Sequence, residues 1–388
     1  MGKKLLRVAF IHNEKKLGTG AHFINDLMAV RLREAGVKVK NFYPKSPLLD
    51  APLHMKGISN ILFFYSLLEH KDEILKYDLI QGTTYTPLAF LPFSIPVVSH
   101  FGSTSWGFLK SVPMAKDLEP PLRKIWLTLK KDGAIRELNL RTRRPLQDVA
   151  EIEKLVALRA NSVIATSDIV RKDLLDIGVL SENVYVVPNA IEDYWFKQQP
   201  MALTENPSLI FLGRIGGDVF TLKLKGMDRL IDLYQHFPAV QKLTIGITTN
   251  QKLVSWFNQK IPSHLFYPNL KKELIPGLLN NKAGSILLIT SRYEGFSLSL
   301  IEGMSQGLIP VTYPVGIAPE IIRNGNNGFL INSQDEGKQA IAYILNLTKE
   351  ERHRLATTAQ ETARKFSSKN VSRDLLEVYR KTLEKLHK

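Results

Sequence analysis

Short apolar runs separated by stretches of helical spacing recur along the whole chain. The first runs from Leu5 to Ile11, followed by a Gly18-Thr19-Gly20 turn and by Phe23, Ile24, Leu27, Met28 and Leu32 at helical intervals. Gly36 stops that helix and Val37 to Tyr43 resumes an extended pattern, which together predict one βαβ unit. Further short apolar runs follow at 77–80, 95–100, 162–166 and 184–187. Continuous runs of this kind belong to strands covered on both faces, as in a parallel sheet. A second series begins at Leu209 and continues at 243–247, 265–267, 286–289, 309–313 and 329–331, with helical segments between. Two doubly wound α/β sheets in tandem are therefore expected. The junction falls between Asp193 and Pro207, where periodicity fails and Pro200 and Pro207 frame a polar segment. From Asn370 onward, Val371, Leu375, Leu376, Tyr379, Leu383 and Leu386 share one helical face, which predicts a docked helix rather than a free tail.

Size and composition agree with this division. A chain of 388 residues can build two ordinary cores. Apolar residues at 44% and charged residues at 23% are the proportions of a soluble globular protein. No stretch approaches the roughly 18 uninterrupted apolar residues of a membrane span. The basic start Gly2-Lys3-Lys4 precedes an apolar run too short for a signal peptide, so it is read as leading into the first strand. Cysteine is absent, which removes disulfides and thiolate metal sites and is compatible with a cytoplasmic location. The formal net charge of +15 favours an anionic partner, whether nucleic acid, acidic membrane or a phosphorylated ligand.

The candidate chemistry is concentrated in the second series. After the run 285–290, Glu294 and Glu302 bracket Gly295-Phe296-Ser297-Leu298 and three further residues. A strand that breaks at a glycine and re-enters a helix presents free amides and the positive helix end at the sheet's carboxyl edge, where phosphates bind. Ser299 to Glu302 also fits a capping box, in which Glu302 only ties down the helix start. If both glutamates were helical they would lie about 12 Å apart, against about 5 Å for a retaining glycosidase pair. The two more naturally touch separate parts of one long ligand, and a nucleotide sugar has that length. Arg214 closes a strand and Lys225 precedes a helix, so both could converge on a diphosphate, each contributing about 1.5 to 3 kcal/mol; a solvated basic surface is the other reading. In the first half, Gly18-Thr19-Gly20 could approach a phosphate but lacks the third glycine of the dinucleotide fingerprint, Phe23 standing there. His100 ends a strand at a crevice-facing position and is either structural or catalytic. Neither D-x-D nor H-E-x-x-H occurs, so no metal site is expected. The segment 110–144 holds ten Lys and Arg against four Asp and Glu, with Leu122, Ile125, Trp126 and Leu129 on one helical face. Such a helix either contacts an anionic membrane or packs on the first sheet with a solvated basic face.

In their order these motifs resemble the family 4 retaining glycosyltransferases of GT-B architecture. The resemblance rests on Ser291 to Leu298, Glu302 to Gly307, Pro310-Val311, Ala318 to Ile322 and Asn327 to Leu330. Gly213-Arg214, Lys225-Gly226, Val187-Pro188-Asn189 and Ser99 to Gly102 add to it. It implies two Rossmann-like domains facing a cleft: an acceptor-side domain at 1–195, a donor-binding domain at 196–368, and a helix at 369–388 returning to the first. It implies a UDP-sugar or GDP-sugar donor, no cofactor, no metal, and retention without an enzymic nucleophile. By the same likeness Glu294 contacts the transferred sugar, Glu302 the ribose, and Arg214 with Lys225 the diphosphate. The amides of Gly295, Phe296, Ser297 and Leu298 meet the ligand, His100 lies by the sugar, and the Gly18 to Gly20 loop approaches the diphosphate. The sequence departs from the family in four places, one of them the polar, lysine-rich glycine loop of the first domain. Residues 215–222 look like an inserted hairpin or loop, which leaves Lys223 as a substitute for Lys225; Ile317 stands where many members have glycine; and Ala190 replaces the glycine after Pro-Asn. The expected acceptor is a carbohydrate or lipid-linked precursor, at the cytoplasmic membrane face. Alternatives are a nucleotide-sugar epimerase, a non-catalytic GT-B subunit and, more remotely, a nucleic-acid-binding protein.

Overall fold

The computed structural model describes residues 5–12, 20–45, 63–139, 143–196 and 203–386. Its strands are β1 (Arg7–Ile11), β2 (Lys38–Phe42), β3 (Leu79–Thr83), β4 (Val97–Phe101), β5 (Ser162–Ala165), β6 (Val184–Val186), β7 (Leu209–Arg214), β8 (Lys242–Ile247), β9 (His264–Pro268), β10 (Ile286–Ile289), β11 (Ile309–Thr312) and β12 (Phe329–Leu330). The principal helices are α1 (Gly20–Glu34), α2 (Ser105–Ser111), α3 (Pro120–Lys131), α4 (Arg143–Arg159), α5 (Asp168–Asp176), α6 (Val219–Leu224), α7 (Met227–His236), α8 (Gln251–Lys260), α9 (Leu298–Ser305), α10 (Gln334–Asn346), α11 (Lys349–Arg364) and α12 (Ser368–Leu386). Each apolar run singled out in the sequence is one of these strands. They form two parallel sheets, ordered β2-β1-β3-β4-β5-β6 and β12-β11-β10-β7-β8-β9. This is the two-fold Rossmann-like arrangement of GT-B.

The chain separates into two compact units, neither continuous in sequence. One comprises Met1–Leu109, Thr142–Glu192 and Ser367–Lys388, the other Lys110–Arg141 and Asp193–Phe366.

In the first unit, Ala9, Ile11, Ile80, Val97, Val163 and Ala165 alternate along the strands onto one sheet face, where they pack with Phe64, Phe90, Val170 and Leu174. The opposite face is covered by α12. Its Val371, Leu375, Val378 and Tyr379 are buried, the Tyr379 hydroxyl donates to Gln81 on β3, and the hydroxyls of Thr382 and Ser162 lie 2.7 Å apart. Burial on both faces is why β1, β3, β4 and β5 read as apolar runs, whereas the edge strand β2 alternates buried and exposed residues.

In the second unit the four residues of β10 and the four apolar residues of β7 are buried. The segment 110–141 belongs here, whereas the sequence leaves its amphipathic helix either at an anionic membrane or on the first sheet. Leu122, Trp126 and Leu129 of α3 are buried, and α3 packs on α7. Lys223 closes the contact, its Nζ donating to the Pro113 carbonyl at 3.0 Å and lying 5.8 Å from the Trp126 ring centre. Asp132 accepts from Trp256 Nε1 at 2.8 Å, and the Ala134 carbonyl accepts from Asn250 at 2.9 Å. The tryptophan expected at a membrane interface is thus internal to the protein, while Arg123, Lys124, Lys130 and Lys131 remain exposed. Among the described residues no helix is long and apolar enough to cross a membrane.

Candidate active site

The second sheet places its site by topology. The chain starts at β7, builds β8 and β9 on one side, then returns to build β10, β11 and β12 on the other. The carboxyl ends of β7 and β10 therefore flank the point where the order reverses, the crevice at which open α/β sheets bind ligands. Arg214, exposed, closes β7 at this edge, and residues 290–297 follow β10 into α9. Gly303 lets α9 lie directly on β10, since a Cβ there would sit 2.6 Å from Leu287 Cδ2.

Glu294 is turned toward the segment after β7. Lys225 Nζ lies 2.5 Å from Glu294 Oε1, and the Ser291 hydroxyl donates to the same oxygen at 2.7 Å. The two charged side chains are 18% and 16% exposed, so water screens this pair only in part. What brings them together is a brace that the sequence did not reveal. Arg292 forks onto both oxygens of Asp228 at 2.8 and 2.6 Å, a buried bidentate pair, and also donates to the Lys223 carbonyl at 2.7 Å. Gly226 completes the junction. Its φ of +62° reverses the chain between α6 and α7, and a Cβ would lie 2.0 Å from the Thr290 carbonyl oxygen.

Residues 215–222, expected as a hairpin or loop, run into α6, which starts at Val219. Asp218 caps it by accepting from the Thr221 amide at 2.9 Å. A helix of six residues is too short to show its period in sequence. Lys223, the alternative to Lys225, is buried on the Pro113 carbonyl, and burial together with nearby Arg292 pushes its pKa down to about 8.

Gly295, Phe296 and Ser297 are buried. Gly316, at φ +55°, passes so close to the Phe296 carbonyl that a Cβ would lie 2.4 Å from its oxygen, and the Ile317 amide donates to that oxygen at 2.9 Å. Ile317 itself has an ordinary φ of −79°, so the position needs no glycine. Ser297 adopts the left-handed conformation at φ +76° and is the N-cap of α9, yet makes no capping hydrogen bond. Its hydroxyl oxygen is buried without a hydrogen-bond partner among the described residues. A non-glycine residue held this way costs about 1 to 3 kcal/mol, which is characteristic of ligand-binding turns. Glu302 is no capping-box residue either. It lies beyond the first turn of α9, 7% exposed, and its Oε1 is 2.8 Å from Lys272 Nζ.

The first unit carries His100 near the end of β4, half-buried, with desolvation pushing its pKa down to about 4, so the imidazole is neutral at pH 7. The turn after it is pinned from three sides. Thr166 donates to the Phe101 and Gly102 carbonyls at 3.3 and 3.2 Å, Thr104 donates to Asp173 at 2.9 Å, and Glu153 accepts from the Ser105 amide and hydroxyl at 2.7 and 3.0 Å. Gly20 opens α1; Gly18 lies outside the described residues.

Burial raises the Glu153 pKa to about 7 against the Ser105 hydrogen bonds, which lower it. The folded state therefore holds this proton to higher pH than the unfolded chain, and its contribution to stability declines as pH rises from about 4.5 to about 7. In a pH series of thermal unfolding, Glu153→Gln should flatten that decline by on the order of 3 kcal/mol. Identical slopes in variant and wild type would refute the assignment.

Comparisons with known proteins bear on the family and the fold. The family model described as "Glycosyl transferases group 1" matches residues 196–362. An uncharacterized 41.2 kDa protein in the cps region of Klebsiella pneumoniae is 26% identical over 204 residues, which are 48% of this chain and 52% of that protein; the match spans about half of the relative. The solved sucrose-phosphate synthase of Thermosynechococcus elongatus superposes with a TM-score of 0.72 at 17% identity, covering 97% of this chain and 98% of that one. HepE of Anabaena, solved with UDP and glucose, gives a TM-score of 0.64 at 17% identity over 97% and 100% of the two chains. Residues 196–362 are thus similar to the glycosyl transferases group 1 model, and the chain has the fold of the GT-B enzymes it superposes on.

Proposed function

We propose that the protein is a retaining hexosyltransferase that takes its sugar from a nucleoside diphosphate sugar, UDP-linked or GDP-linked, and passes it to a carbohydrate or lipid-linked acceptor. The observation that carries this reading is the Lys225–Glu294 pair beside the strained, buried turn that opens α9, at the reversal of the second sheet. A cation, a carboxylate and a helix start at one sheet edge suit a ligand that is anionic at one end and hydroxyl-rich at the other.

In this reading Arg214, Lys225 and the amides of Gly295 to Leu298 take the diphosphate charge, without recourse to a metal. Glu294 accepts hydrogen bonds from the sugar's hydroxyls and Glu302 from the ribose. The anomeric C1–O bond to the β-phosphate breaks as the acceptor oxygen bonds C1 on the same face, and the departing phosphate oxygen takes the acceptor's proton. The chain supplies charge and position rather than a nucleophile.

Nucleoside diphosphates should raise the melting temperature with chelator present, stabilising the fold by about 2.7 kcal/mol at a hundredfold excess over Kd. Arg214→Ala should weaken that binding roughly tenfold to a hundredfold, the scale of one charge-assisted hydrogen bond. Stabilisation by none of UDP, GDP or ADP, free or sugar-linked, would overturn the proposal. Equal affinity in Arg214→Ala would remove that residue from the site.

A further inference from the structure

Lys272 lies outside every motif discussed above, yet it reaches the site. It opens a turn of 3-10 helix, Lys272–Leu274, in the loop that leaves the edge strand β9. Asn269 folds this loop back over the neighbouring strand. Its Oδ1 accepts from the Thr248 amide and its Nδ2 donates to the Thr248 carbonyl, both at 2.9 Å. In the strand order β10-β7-β8-β9, the 2.8 Å contact between Lys272 and Glu302 joins the β9 loop to the helix that follows β10. It bridges the carboxyl ends of β7 and β8.

Both partners are largely withdrawn from water, Lys272 at 17% and Glu302 at 7% exposure. Holding two long charged side chains in such a place is worthwhile only where the geometry is fixed and the remaining lone pairs are used. A carboxylate has about four lone-pair sites, so an ion pair is compatible with hydrogen bonds from further donors.

We propose that Lys272 is a positioning residue for the donor's nucleoside, holding the Glu302 carboxylate so that it accepts from the ribose hydroxyls and selects ribonucleoside over 2′-deoxyribonucleoside diphosphates. The proposal rests on the nucleoside diphosphate reading given above. Its selectivity follows from burial: a ligand that lacks one hydroxyl leaves a desolvated carboxylate oxygen unpaired, which a site built to hydrogen-bond that group penalises heavily. Without the ammonium, Glu302 loses its anchor and the distinction fades.

Titration calorimetry of the full chain with UDP and 2′-deoxyUDP, and with the matching guanine pair, tests this. Wild type should prefer the ribonucleotide by about tenfold or more. Lys272→Met should reduce that ratio to about threefold or less, and Lys272→Arg should largely preserve it, since Arg keeps the charge and the hydrogen-bond donors. A merely structural role for Lys272 would lower the melting temperature and weaken both nucleotides alike; an unchanged ratio in Lys272→Met overturns the proposal. So does a wild type that binds ribo and deoxy forms equally, a result that leaves the diphosphate reading intact. If wild type binds no nucleotide of either pair, both readings fall together.

Discussion

Glu294→Gln should slow sugar transfer by about a hundredfold to a thousandfold while binding free UDP or GDP at least as tightly as wild type. In the free protein Lys225 is held by Glu294 at 2.5 Å, so a diphosphate must compete with that carboxylate for the cation. The amide of glutamine has the same shape and can still accept from Ser291, but it carries no charge to hold Lys225 or to repel the phosphates. Removing a half-screened contact of this kind should tighten nucleotide binding about fivefold, equivalent to about 1 kcal/mol. Transfer falls because a neutral amide is a poorer acceptor for the sugar's hydroxyls, whose alignment at C1 the reaction requires. Calorimetry with the nucleotide and a transfer assay with the nucleotide sugar separate the two effects. Unchanged transfer removes Glu294 from the site, and a parallel loss of nucleotide affinity shows that the Lys225–Glu294 pair assists binding instead of competing with it.

Gly226→Ala is expected to have the largest effect on stability. Alanine at φ +62° is strained by about 1 to 2 kcal/mol, and its Cβ would meet the Thr290 carbonyl oxygen at 2.0 Å and the Arg229 Cδ at 3.3 Å. Thr290 is backbone at the end of β10 and cannot swing aside as a side chain can. The total should reach about 2 to 4 kcal/mol, lowering the melting temperature of the second unit by roughly 5 to 15 °C. Nucleotide binding should be lost with it, because displacing Thr290 carries Ser291, Arg292 and Glu294 along. Gly36→Ala is the control: φ is +84°, but none of the described residues lies within 4 Å of the added Cβ. If Gly226→Ala costs no more than Gly36→Ala, the close approach to Thr290 is not what the glycine serves.

The inner strands were readable from sequence because they are buried on both faces and so declare themselves as apolar runs, whereas β2 and β9 at the sheet edges alternate with exposed positions. Leu209 to Leu212 and Ile286 to Ile289 show no polar interruption at all. The partners of the site were not readable in the same way. Lys225 and Glu294 are 69 positions apart, and their meeting depends on Arg292 choosing Asp228 among many acidic residues, which no local pattern specifies. The Ser299 to Glu302 spacing imitates a cap, whereas the chain turns at Ser297 and Glu302 pairs with a lysine from the edge-strand loop. Helix α3 shows the same limit. Its apolar stripe announces that it must be covered, but either sheet offers a covering face. Lys223, Trp256 and Asn250 decide in favour of the second.

The interleaving of the two units bears on how the chain matures during synthesis. Residues 110–141 emerge before any strand of the second sheet exists, so Trp126 must wait for Lys223 and α7 to be made before its seat is complete. Conversely, the first sheet has all six strands by residue 186, but the face carrying Gln81 and Ser162 stays open until α12 arrives at residues 368–386. Neither core can close while the ribosome is still in the middle of the chain. Both should finish almost together, with apolar surface waiting on each side in the meantime, which makes this a protein whose nascent chain benefits from chaperone protection.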